Sequence, residues 1–526
     1  MQAKAWWQRG IIYEIYPRSF QDSNGDGIGD LPGLVSRLDY LVALGVDALW
    51  IAPVFPSPMA DFGYDVADYC GIDPIFGTLS DFDYLLNAAH ERGLKLILDF
   101  VPNHTSDQHP WFLESRSSRD NPKRDWYLWR DAAANGGPPN NWLSNFGGPA
   151  WEWDEITGQY YCHSFLKEQP DVNWRNPQLR EAMLDVLRFW LNRGVDGFRV
   201  DVLWLLIKDD QFRDNPPDPA YQPNAPSTHR LLQVYNADRP EVHDLVITMR
   251  SVLDSYSDRV LIGEIYLPYS RLVTYYGEDL RGANLPFNFQ LILCAWNAAA
   301  IARVIREYEA ALPPGAWPNW VLGNHDQSRI ASRVGAGQAR VAAMLLLTLR
   351  GTPTMYYGEE IGMTNVPVPP EEVQDPAEKN QQGLGLGRDP ERSPMPWDSS
   401  PQAGFTTTKP WLRLGADHET INVSKLGQER NSIFNLYRTL IRLRRTNEAL
   451  ISGRIQEVAE DGSVLRYERE NHQQHFLILL NLGHVQQDVY VAEGRIVITT
   501  FLDREDQLVA GKIALRPSEG MIVKLR

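Results

Sequence analysis

A chain of 526 residues, 43% apolar and 22% charged, holds enough material for a large core and for two or three domains. Its 51 basic against 67 acidic residues leave a formal charge of −16, which argues against nucleic-acid phosphates and anionic lipid surfaces as partners. Three scattered cysteines, Cys70, Cys162 and Cys294, offer no disulfide framework or CxxC metal site, and no stretch approaches a signal peptide's apolar core or the ~20 apolar residues that span a bilayer, so a cytoplasmic location is expected.

In chain order, IIYEIYPRSF (11–20) reads as a buried strand, and LPGLVSRLDYLVALG (31–45) has helical spacing stopped by Gly45. VDALWIAPVF (46–55) and LKLILDFV (94–101) read as the next two strands. Residues 105–172, rich in Trp, Asn, Gly, Pro and Asp, are too long for an ordinary βα loop and predict a small inserted domain over one end of the fold. PQLREAMLDVLRFWLNRG (177–194) predicts a helix, VDGFRV (195–200) and VLIGEI (260–265) two more strands, and PFNFQL (286–291), WVLGN (320–324) and TPTMYYG (352–358) complete eight. A polar, Gly/Pro-rich stretch from about Asn365 to Asp417 is placed to close the side opposite the insertion.

This alternation predicts an α/β fold, a (β/α)8 TIM barrel formed by residues 1–104 and 173–450, with the insert at 105–172 after strand 3. A doubly wound sheet would need a Gly-rich phosphate loop after its first strand, and none stands there. Beyond the helix-like ERNSIFNLYRTLIRLRRTNEAL (429–450), the runs VLRYERE, HFLILLNL, GRIVITTF and GMIVKLR predict a C-terminal antiparallel β-sandwich over 451–526.

Four segments stop on groups suited to catalysis: LKLILDFVPNH, GVDGFRVD, RVLIGE and NWVLGNHD. A barrel gathers such strand ends on one rim, which places Asp201, Glu264, Asp326, His104, His325 and Arg199 around one pocket. Two carboxyls at neighbouring strand ends meet the demand of a retaining glycosidase for a nucleophile and an acid/base. Arg199 projects to the same side as Asp201 and is expected to hold it ionised, whereas Glu264 follows an apolar LIG whose dryness raises a carboxyl toward a proton donor's value.

The motifs DFVPNH (99–104), GFRVD (197–201), GE (263–264), NHD (324–326) and QPDVNW (169–174) resemble those of the α-amylase glycoside hydrolase family, near its oligo-1,6-glucosidase and α-glucosidase branch. The resemblance implies Asp201 as nucleophile, Glu264 as acid/base and Asp326 as transition-state stabiliser, with His104, Arg199 and His325 binding a glucosyl unit. It implies that Asp61 and Tyr64 of DFGYD (61–65) grip outer hydroxyls and stack on the ring, that Arg392 pairs with Asp61 or touches the sugar, and that Phe146 and Phe165 supply apolar walls. Val202, directly after the nucleophile, accompanies α-1,6 action in that branch. The implied substrates are small α-glucosides or sucrose. Hydrolysis, transglucosylation or sucrose isomerisation all use the same covalent intermediate, and a non-catalytic binding protein on the same fold is the remaining alternative.

DSNGDGIGD (22–30) spaces oxygen donors like the start of an EF-hand loop, with Asp22, Asn24, Asp26, the Ile28 carbonyl and Asp30, although Gly33 stands where an EF-hand places its bidentate Glu. The branch carries a similar loop with bound calcium or magnesium, so a structural Ca2+ or Mg2+ is expected and no organic cofactor.

Overall fold

A computed structural model describes residues 4–222 and 225–526. Eight strands, β1 (Ile12–Ile15), β2 (Ala48–Ile51), β3 (Lys95–Phe100), β4 (Gly197–Val200), β5 (Val260–Gly263), β6 (Leu285–Pro286), β7 (Asn319–Val321) and β8 (Thr352–Tyr356), form one parallel sheet in the order β7-β8-β1-β2-β3-β4-β5-β6. The barrel is nearly closed. At the joint between β6 and β7, Pro286 has no N–H to give, and the Asn319 side chain bridges instead, accepting from the Asn288 N–H at 2.9 Å and donating to the Pro286 carbonyl. The expected strand at 286–291 is therefore shorter than predicted, and the chain turns into a helix at Gln290–Leu293.

Alternation along the strands sends Ile12, Trp50, Ile97, Ile262 and Val321 into the barrel and Tyr13, Leu49, Leu98, Phe198 and Leu261 against the surrounding helices. The inward set turns polar one layer below the rim. Glu14 stands in register beside Trp50, and Asp99 beside Arg199. Helix ends follow the chemistry read from sequence: Pro177–Arg193 starts on an Asn176 cap and stops at Gly194, whose φ of 107° suits glycine. The stretch 31–45 is two helices, Leu31–Ser36 and Leu38–Leu44, broken at Arg37.

Between β3 and β4 the chain forms a helix, Pro110–Ser117, and a small antiparallel sheet of Trp129–Arg130, Gln159–Cys162 and Trp151–Asp154. After the barrel, six antiparallel strands between Arg454 and Leu525 are joined in one sheet, bent where Gln487–Thr499 shifts register. One face puts Leu465, Tyr467, Phe476 and Ile478 into the main core, and the other closes over Val464, Leu477, Leu479, Val491 and Val523. Among the described residues no helix is long and apolar enough to cross a membrane. The three cysteines are free.

Candidate active site

The site is built on one guanidinium. Arg199, fully buried on β4, sets Nη1 2.8 Å from Asp99 Oδ1 and 2.7 Å from Asp201 Oδ1, and Nη2 2.7 Å from Glu264 Oε2. Asp99 is further held by the hydroxyl of Tyr64 at 3.0 Å and the indole of Trp50 at 3.3 Å. Val202 follows Asp201 with φ 38° and ψ 46°, a left-handed turn that costs a β-branched residue ~1–3 kcal/mol, and there its N–H donates to Glu264 Oε2 at 2.8 Å. One carboxyl oxygen of each residue, Asp201 Oδ2 and Glu264 Oε1, remains without a protein partner among the described residues and borders the cavity.

Burial lifts both carboxyls above the ordinary range, opposed by Arg199. The neighbouring carboxylates Asp99 and Asp326 add to the rise of each. Arg199 opposes that rise at Asp201, as expected, and its fork serves Glu264 as well. Asp326 differs. Partly exposed to the cavity, it is held ionised below its usual range by His325, Arg388 and Arg392, with Oδ1 2.9 Å from Arg392 Nη2 and 3.3 Å from Arg388 Nη1.

The cavity, about 410 Å³, is lined by Asp61, Tyr64, His104, Phe146, Phe165, Asp201, Val202, Glu264, His325 and Asp326 among the residues expected from sequence. Arg392 is a correction. It lies wholly buried beneath the site, bonded to Asp326 and to the His325 carbonyl, while Arg388 lines the cavity and pairs with Asp61 at 2.6 Å. Arg388 also pairs with Asp375 at 2.6 Å and lies over the Phe146 ring, so it ties the loops after β2 and β8 to the insertion. Gln169 of the QPDVNW segment reaches Asp61 Oδ2 at 3.2 Å, and Asp171 is clamped by Lys208 at 2.8 Å and by Asn103 and Ser164. Burial lowers His104 to about 4, so it is neutral, with Asn103 on Nδ1 and the Tyr64 carbonyl on Nε2.

The model of the alpha-amylase catalytic domain matches residues 14–453, most of the chain. The protein belongs to the alpha-amylase family. A probable alpha-glucosidase of Rhizobium meliloti is 41% identical over 96% of each chain, and an oligo-1,6-glucosidase of Parageobacillus thermoglucosidasius is 37% identical over 99% of each. The crystal structure of an alpha-glucosyl transfer enzyme, XgtA, superposes with a TM-score of 0.94 at 40% identity over 100% of both chains.

In this alpha-amylase family member the cavity takes Arg388, which the sequence ranked behind Arg392, and further residues that sequence reasoning missed: Asn145, Trp204, Leu205, His229, Tyr266 and Gln327. Most stand on irregular segments, where no periodicity marks a direction. The loop 22–30 lies outside the cavity lining. There Asp22 accepts the amides of Asn24, Gly25 and Gly27, Asn24 that of Asp26, and Asp26 that of Ile28. Asp30 accepts from Ser23 and caps the following helix through Gly33. Gly27, at φ 91°, lets the loop press on the Lys409 carbonyl, 2.4 Å from where a Cβ would stand. Among the described residues no three His, Cys, Asp or Glu side chains converge as a ligand set. Asp22 and Asp30 are nevertheless buried, and all donors of the loop are hard oxygens, which fits a divalent cation held partly by carbonyls.

Proposed function

We propose that the protein is a retaining, exo-acting α-glucosidase that releases α-glucose from the non-reducing end of short α-glucosides, favouring the α-1,6 bond of isomaltose over the α-1,4 bond of maltose. The observation that carries this is the pairing of Asp201 and Glu264 on one guanidinium, each with a free oxygen toward a cavity that the Asp61–Arg388 pair spans. In the first displacement Asp201 attacks C1 while Glu264 gives its proton to the glycosidic oxygen, and the aglycone leaves as an alcohol. In the second, Glu264 takes a proton from water, whose oxygen attacks C1 and frees Asp201. The ionised Asp326 stabilises the positive charge that develops on the ring between them. The lean to α-1,6 bonds rests on Val202 and on the oligo-1,6-glucosidase relatives.

NMR of the protein with isomaltose and with maltose tests the reading. Initial release of α-glucose, faster from isomaltose, is expected; β-glucose first, or no glucose from either sugar, overturns it. A second reading has its own observation. Asn145, Phe146, His229, Asp326, Gln327 and Arg388 also border a chamber of about 590 Å³ that Asn365, Gln381 and Glu391 line with polar groups, room for an acceptor sugar to compete with water. The relative named for glucosyl transfer supports it. New glycosidic signals at high isomaltose or sucrose, without net glucose, would establish that outcome.

Loop 22–30 is proposed to hold a structural Ca2+ or Mg2+ through Asp22, Asn24, Asp26, the Ile28 carbonyl and Asp30, with no part in the chemistry. Chelation by EDTA is expected to lower the melting temperature and added Ca2+ to restore it, while an unchanged melt removes the site. The free thiols support a cytoplasmic setting.

A further inference from the structure

Glu14 is a charged residue in the barrel interior that the catalytic scheme does not use. It is fully buried on β1, two residues beyond Ile12 on the inward face, and is absent from the cavity lining. Its Oε1 lies 2.5 Å from His325 Nδ1, and its Oε2 has no partner among the described residues. A carboxyl group is costly in such a place unless it does something that an apolar side chain could not.

What it holds is the orientation of one ring. His325 lies nearly parallel to two tyrosines, 5.9 Å from Tyr16 at 16° and 5.3 Å from Tyr64 at 11°. Such neighbours constrain the plane of the imidazole, but a half-turn about its Cβ–Cγ bond keeps that plane and exchanges the Nδ1 edge for a carbon. The Glu14 hydrogen bond removes that freedom by anchoring the Nδ1 edge. The Nε2 edge is thereby turned toward the Tyr64 hydroxyl at 2.7 Å and Asp326 Oδ2 at 3.3 Å, both of which border the cavity. Burial raises the Glu14 carboxyl and lowers His325, favouring the uncharged form of each.

We propose that Glu14 is a positioning residue for the glucosyl site, locking the in-plane orientation of His325 and, through it, the placement of the Tyr64 hydroxyl and the Asp326 carboxylate. Glu14 acts through His325 and touches no substrate. The proposal rests on the α-glucosidase reading above.

A double-mutant cycle tests it, with kcat/KM measured on 4-nitrophenyl α-glucoside and folding followed by circular dichroism. Glu14→Met keeps the chain length without an acceptor and is expected to lose about 10- to 100-fold, the usual cost of removing a histidine's carboxylate partner. Glu14→Gln keeps an amide that can accept from or donate to Nδ1 and is expected to recover most of that loss. In a His325→Asn background Glu14→Met should cost nothing further, because the group it positions is gone. A loss of equal size in that background, or none in the single variant, overturns the proposal; Glu14→Leu takes its place if the Met variant does not fold. Wild-type protein inactive on every α-glucoside would instead sink the α-glucosidase reading, which an active wild type with additive losses leaves intact.

Discussion

Arg199→Lys keeps a positive charge beneath the cavity but removes the fork that spans it. In the native protein Nη1 serves Asp99 and Asp201 at 2.8 and 2.7 Å while Nη2 reaches Glu264 at 2.7 Å. A single ammonium cannot occupy both positions. An opposite charge ~4 Å away at an effective dielectric constant of ~20 is worth about 4 kcal/mol, and relaxation recovers part of it. A residual deficit of ~2–4 kcal/mol in the transition state corresponds to a loss of about 30- to 1000-fold in kcat/KM. The pH profile carries a second signature. Burial already lifts Asp201 and Glu264 against the pull of Arg199, so a poorer cation lifts both further and moves the acid and alkaline limbs to higher pH. The assay is kcat/KM on 4-nitrophenyl α-glucoside across both limbs, with circular dichroism to establish folding. A folded variant within about threefold of wild type, or limbs displaced to lower pH, refutes the reasoning.

Two other outcomes follow from groups around the site. Glu359 is buried with both carboxyl oxygens unpartnered among the described residues, and burial raises it from 4.5 to about 8. A carboxyl raised on folding contributes fully below its unfolded value and loses that contribution as pH rises through about 8. Glu359→Gln should therefore match wild type in mild acid and melt higher than wild type at alkaline pH, with a difference on the order of 5 kcal/mol at most; a calorimetric gap that narrows with rising pH would contradict this. Arg388→Gln removes the partner shared by Asp61, Asp375 and Asp326, and is expected to raise KM for isomaltose at least tenfold and to lower the melting temperature, as truncating one side of a buried charge pair does. An unchanged KM would show that the bridge between the loops does not shape the glucosyl site.

The strand ends were legible because each is an apolar run that stops abruptly on Asp, Glu or His, a pattern that needs only the parity of a strand and the geometry of a barrel rim to become a site. Arg388 and Arg392 were not separable that way. Arg388 caps and Arg392 ends one short 3-10 segment, Asp389–Arg392, and spacing does not say which faces the cavity and which is sealed beneath it. Glu14 carried a signal that went unread: one carboxylate at an inward parity among Ile12, Tyr13 and Ile15. The resemblance speaks only to Val202's part in linkage preference, while its positive φ, which aims an amide at Glu264, is a property of the turn and leaves no mark in the letters. Tyr266 and Gln327 join the cavity only through tertiary approach of separate loops.

The bridge made by Asn319 gives the barrel wall a built-in order of opening. Elsewhere in the wall neighbouring strands exchange main-chain hydrogen bonds over two to four registered pairs, but the joint of β6 and β7 depends on a single amide group contributed by a side chain. A ring with one weak clasp loosens there first. Amide exchange should begin beside Asn288 and Asn319, before the registered pairs on either side of the joint give way.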